Sequence, residues 1–289
     1  MSGRAWRVAA LLLLVAPVGA WPGAAQTLRT LSSARQLHGD SALAVDVTYA
    51  AGRFRLEPAS AGDLYRMDLR YDEDKFTPVR DYDPASGVLR LGLRGRSRNI
   101  SPGDRRKGEM PSLDVALTAE VPLTLDVELG AAEADVELGG LSLRRVSFHT
   151  GASKSTVRFS SPNPLACDAL SFEVGAAEFT ATGLGNANCR SMTFDGGVGA
   201  VSLNFTGSWR GSADARIHVA MGTVKLFLPR DVGVAISLDR FLASFDRYGF
   251  TKRGDRYYSD NFSSAPHRLN LDVAAVFGGI EVHWVDNHN

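Results

Sequence analysis

Apolar and polar side chains alternate with a period of two along most of this chain, which predicts half-buried β-strands. The alternation breaks at small-residue corners and then resumes. In "LTLDVELGAAEADVEL" the apolar positions are Leu125, Val127 and Leu129, then Ala134, Val136 and Leu138 beyond a corner at Gly130. Equivalent corners fall at Gly151, Gly175, Gly197 and Ala220, at spacings of 21, 24, 22 and 23 residues. Val146, Phe148 and Thr150 precede the second corner, and Leu170, Phe172 and Val174 the third. Glycine suits such corners because it lacks a Cβ and lets neighbouring backbones approach closely.

Two strands per unit at a period in the low twenties predict a β-solenoid, in which each coil buries its apolar face only by stacking on its neighbours. An antiparallel sandwich also uses strands of this length and spacing and stays open as the alternative. The frame extends outward to "LAVDVTYAAGRFRLEP", with a corner at Ala50, and to "LNLDVAAVFGGIEVHW", with one at Val276. Two excursions interrupt it, hairpin-like strands over 60–110 and an aromatic-rich insertion over 230–268. The expected organisation is an N-terminal β module over 26–110 and an all-β, solenoid-like stack of two-strand coils over 111–289.

The first 25 residues read as a secretory signal peptide: Arg4 and Arg7, an apolar run from Val8 to about Val18, then small residues. An uncleaved anchor is the lesser alternative, since the apolar run is short of the roughly 20 residues of a membrane span. Of the 289 residues, 44% are apolar and the formal charge is +0. Removing the signal leaves 30 basic against 32 acidic side chains, a balance that argues against nucleic acid as a partner. The expected location is periplasmic or extracellular, with contact to a membrane surface open but no span.

The corner alignment works as a ruler for side-chain columns. Cys167 and Cys189 both stand eight residues before a corner. That puts them on adjacent coils, about 4.8 Å apart along the stack, where an oxidising compartment favours a disulfide. Two residues before each corner an outward column reads Glu128, His149, Glu173, Asp195, His218. Such a column could ligate a divalent metal, but a solvated face is the expected reading, and no metal or other cofactor is assigned.

Basic residues gather in Arg90, Arg94, Arg96, Arg98, Arg105, Arg106 and Lys107, a linker or a docking patch for anionic headgroups and phosphates. The insertion holds Phe241, Phe245, Tyr248, Phe250, Tyr257, Tyr258 and Phe262. The first three, at i, i+4 and i+7, would share one face of a short helix. These aromatics would cap the open solenoid end, bind sugar rings or a peptide, or both. No nucleophile elbow, zincin or phosphate-loop motif is present, so no catalytic residue is assigned.

The stretch "VDVTYAAGRFRLEPASAGDLYRMDLRYDEDKFTPVRDYDPASGVLRLGLRG" resembles the N-terminal module of the toast-rack proteins. "LGAAEADVEL", "LPRDVGVAISLD" and "VFGGIEVHW" are similar to the repeats and closing segment of LiaF-like cell-wall-stress proteins and of a related adhesin-like domain. The resemblance implies an extracytoplasmic β-solenoid-like domain, in some relatives joined to membrane helices and regulating an envelope-stress kinase. The functional expectation is an exported, non-enzymatic binding or scaffold protein of the cell envelope, whose partner is an envelope protein or polysaccharide. The alternative is a surface adhesin or polysaccharide-binding module.

Overall fold

Alternating sequence becomes strand almost everywhere in the computed structural model, which describes residues 28–96, 110–245 and 247–287. Fifteen strands follow in chain order: β1 (Leu28–Gln36), β2 (Leu43–Pro58), β3 (Asp63–Asp72), β4 (Phe76–Asp83), β5 (Val88–Gly95), β6 (Ser112–Leu117), β7 (Leu123–Glu137), β8 (Leu143–Arg158), β9 (Cys167–Thr182), β10 (Cys189–Asn204), β11 (Ala213–Pro229), β12 (Gly233–Phe245), β13 (Phe250–Arg253), β14 (Arg256–Ser259) and β15 (Arg268–Val285). Eight of them stack in parallel in the order β2-β7-β8-β9-β10-β11-β15-β12. Each coil is one long strand that runs through its corner, so the fold is an all-β, solenoid-like stack.

Matching positions of successive coils pair directly, which turns every sequence column into a physical ladder. Val127, Phe148, Phe172, Phe194 and Ile217 form one buried column, each at most 3% exposed. Phe179, from the far arm of its coil, packs 5.0 Å from Phe172 and 5.3 Å from Phe194 between ring centroids. The core is therefore a row of rings and branched side chains held between two arms.

Close approach dictates the small corner residues. A Cβ on Gly197 would lie 2.7 Å from the carbonyl oxygen of Gly175 on the coil below. In the later coils the demand moves two residues on: Gly222 has φ 143° and rests against the backbone of Gly199, a conformation closed to most side chains. The Gly–Ala corners thus mark where backbones nearly touch.

The loops are stapled as well. Buried Asn163 spends its whole amide on its neighbours. Its Nδ2 donates to the carbonyls of Leu143 at 2.9 Å and Ala187 at 3.0 Å, and its Oδ1 accepts from the Leu143 and Leu165 amides, both at 3.1 Å.

Both ends of the stack are covered. One arm of β2 pairs with β5, whose other side takes β4, and the other arm pairs with β6, followed by β3 and β1. The division expected at 110/111 is therefore crossed by hydrogen-bonded sheet, because β2 also pairs with β7 along its length. The expected signal segment and the basic residues Arg98, Arg105, Arg106 and Lys107 lie outside the described residues.

The aromatic insertion differs most from expectation. Its first half is β12, a full coil with Val234, Ile236 and Leu238 opposite Leu269, Leu271 and Val273 of β15. Phe241 and Phe245 sit in this strand and Tyr248 follows it, so the three share no helix. An i, i+4 spacing is also even, and it fits one face of a strand as well as one face of a helix. The β13–β14 hairpin then covers one arm of β12.

Candidate functional site

The outward column two residues before the corners is continuous in the structure. Glu128, His149, Glu173, Asp195 and His218 occupy five successive rungs in register. Their side chains line a shallow groove of about 510 Å³ whose floor includes Gly151, Gly175 and Gly197. The groove exists because the glycines that permit close stacking contribute no side chains beside the ladder.

Polar contacts within the ladder are specific. His149 Nδ1 lies 3.0 Å from Glu173 Oε2, and its Nε2 lies 2.7 Å from Ser147 Oγ. Asp195 faces His218 Nδ1 at a longer 3.8 Å. Among the described residues, no three or more His, Cys, Asp or Glu side chains come together as a metal site. Parallel rungs aim their side chains alike, so donors line up along the stack.

Ser147, two residues from His149 on the same strand face, was not singled out by the sequence pattern. The readable signal was Ser-x-His on a strand with an acid one rung along, which becomes meaningful only once the register is known. The corner ridge was missed too. Val198, Met221 and Phe277 stand in one row, 53%, 51% and 42% exposed.

The other sequence candidates disperse over the molecule. Cys167 and Cys189 are register partners joined by a disulfide, with Cα atoms 4.2 Å apart. That bridge walls a smaller cavity of about 220 Å³ with Trp209, Arg190 and Arg210. Arg94 and Arg96 are exposed on β5 and just after it, and Arg96 Nε donates to Thr77 Oγ1 at 3.0 Å. Nearby Arg90 is shared between Asp46 at 3.6 Å and Asp81 at 3.4 Å, so carboxylates offset part of this basic cluster.

The expected aromatic contacts separate by burial. Tyr257 is 7% exposed and packs 5.2 Å from Phe245, while Phe250 joins Phe245 to Trp284. Tyr257 is a core residue of the cap, which corrects its assignment as a contact. Tyr258 is half-buried against Phe262. Tyr248 is 76% exposed, and its carbonyl accepts from Trp284 Nε1 at 3.0 Å.

Residues 25–169 match the family model for the N-terminal domain of toast_rack, DUF2154. The chain belongs to the toast-rack family. The matched segment runs past the N-terminal strands through β7 and β8 to the first residues of β9, so the family unit includes the first coils of the stack. No curated protein matches this toast-rack protein.

Solved structures align with it at low identity and low TM-score. A candidate cell adhesion protein from Clostridium sporogenes is 13% identical, over 90% of this chain and 100% of its own, with a TM-score of 0.46. A candidate adhesin from Bacteroides fragilis is 11% identical, over 88% and 98%, with a TM-score of 0.39. A candidate lipid-binding protein from Parabacteroides distasonis is 10% identical, over 88% and 96%, with a TM-score of 0.35. Among the described residues, no helix is long and apolar enough to cross a membrane.

Proposed function

We propose that this toast-rack protein is an exported binding or scaffold protein of the cell envelope, without turnover of a small substrate as its main task. The observation that carries this reading is the groove along the corner ladder. It is open, about 510 Å³, and lined by carboxylates and imidazoles on consecutive rungs. Such a groove suits an extended polymer lying along the stack better than a compact metabolite, which a closed pocket would surround. The disulfide between rungs agrees with an oxidising compartment.

The ladder favours a polysaccharide over a protein partner. Carboxylates and imidazoles recurring at strand spacing can hydrogen-bond a run of sugar hydroxyls. The test is a glycan array probed with the mature protein and with a Glu128→Ala, Glu173→Ala, Asp195→Ala triple variant. Binding to an envelope glycan, lost in the variant, supports the reading. Co-purification with a sensor kinase and no glycan signal would replace it with the stress-signalling role implied by LiaF-like relatives.

A further inference from the structure

We propose that Ser147 is an activated nucleophile that accepts acyl groups from an O-acylated polysaccharide lying along the ladder, with its ester beside the groove that His149 and Glu173 line; His149 is its base and Glu173 orients that base. This rests on the polysaccharide reading for the substrate but adds a covalent chemistry that no sequence motif announced. Three side chains in succession carry it. Ser147 Oγ is 2.7 Å from His149 Nε2, and His149 Nδ1 is 3.0 Å from Glu173 Oε2.

The partners decide the direction of these hydrogen bonds. An ionised carboxylate only accepts, so the proton on a neutral His149 sits on Nδ1, facing Glu173. Nε2 is then a lone-pair acceptor, and the serine hydroxyl must donate to it. A hydroxyl aimed at an imidazole whose other nitrogen is held by an acid is the arrangement that activates serine on unrelated folds, recognised by geometry and roles rather than by sequence position. His218 has an acid partner in Asp195, but the residue two before it is Arg216, so that rung carries no nucleophile.

The ladder also sets the polarity of the bound ester. Ser147 has Asp126 as register partner on one side and Ser171 on the other. Charge developing on the carbonyl oxygen is repelled by Asp126, whereas Ser171 can donate a hydrogen bond, so the carbonyl belongs on the Ser171 side. In the step, Ser147 Oγ bonds to the carbonyl carbon while its proton passes to His149 Nε2. The ester C–O bond then breaks, and the sugar oxygen leaves with that proton. Water, deprotonated by the same imidazole, releases the acyl group as a carboxylic acid. The groove spans five rungs, about 19 Å at strand spacing, enough for several linked sugars around one ester.

The test uses the mature, disulfide-bonded protein and a fluorophosphonate probe, whose phosphorus takes the serine oxygen and loses fluoride. Mass spectrometry should find one adduct, mapped to Ser147, absent in Ser147→Ala and formed at least tenfold more slowly in His149→Ala and Glu173→Gln. Acetylated xylan should lose acetate only with protein that retains Ser147. Melting curves of the variants, which change exposed or half-exposed side chains, show that folding is intact. No adduct on Ser147, or labelling unaffected by His149→Ala, overturns the proposal. The binding reading is checked separately: glycan-array binding retained by Ser147→Ala with no adduct on Ser147 in the parent overturns the chemistry alone, whereas no glycan binding by either protein overturns the polysaccharide reading.

Discussion

Cys167 and Cys189 stand opposite one another across the β9–β10 ladder, first residues of adjacent rungs, and their sulfurs are bonded. The bridge closes a loop with a sequence separation of 22 residues. Reduction, or the Cys167→Ala, Cys189→Ala double variant, should lower unfolding free energy by about 3 kcal/mol on the loop-entropy account. Denaturant titration with and without reductant checks this. Equal midpoints would mean that the stacked loops alone hold these rungs.

Corner glycines should be intolerant for a steric reason. Gly197→Ala brings a Cβ against the Gly175 carbonyl, and the backbones must part, at about 1–3 kcal/mol. Gly211→Ala, where nothing lies within 4 Å, should stay within about 0.5 kcal/mol of the parent. Paired thermal melts separate the two sites.

Asn163→Ala should be among the costliest polar substitutions in the chain. It takes a hydrogen-bond partner from buried backbone groups on Leu143 and Ala187 and from the half-buried Leu165 amide, and the loss should be about 2 kcal/mol. Asn163→Asp should not rescue it, because a carboxylate cannot supply the two donors. Hydrogen exchange at the Leu143 and Leu165 amides reads the effect locally.

The acid response of the N-terminal strands follows from Asp114. Burial raises its carboxyl above the ordinary 3.8, and Asp68, its register partner on β3, adds to the rise. A group raised in the folded state binds protons there more readily than in the unfolded chain. Its contribution to stability is therefore largest below 3.8 and is lost as pH climbs through the raised value. Asp114→Asn should then melt higher than the parent at neutral pH, and the difference should vanish toward pH 3. A gain that persists in acid would place the effect elsewhere.

The cap aromatics should divide by burial. Tyr257→Ala removes a core ring and should cost about 3–5 kcal/mol, whereas Tyr248→Ala should leave the melting temperature nearly unchanged. Any glycan signal carried by the cap should then follow Tyr248 and Tyr258.

Much of this architecture is legible in the sequence because a parallel stack repeats one register. Once Gly130, Gly151, Gly175 and Gly197 are aligned, the pairing of Cys167 with Cys189 and the run from Glu128 to His218 follow by counting. Counting cannot reveal order in the stack. β12 lies outermost although β15 follows it in the chain, since period two says which face is buried and nothing about which neighbour buries it. Nor can it reveal rotamers. The contact of Ser147 with His149, and the turning inward of Tyr257 but not Tyr258, depend on side-chain torsions and on hairpin packing.

The exchanged order of the last two coils has a consequence for how the molecule assembles. Strands β7 to β11 can each settle on a predecessor already in place as the polypeptide arrives from its N-terminus. β12 cannot, because its partner along the stack is β15, which arrives last. Until then β11 and β12 both present unpaired strand edges, the surfaces through which β-rich chains stick to one another. The final eighteen-residue strand therefore acts as a keystone: a molecule stalled or clipped before Arg268 would be left open at its end, and only arrival of that strand closes it.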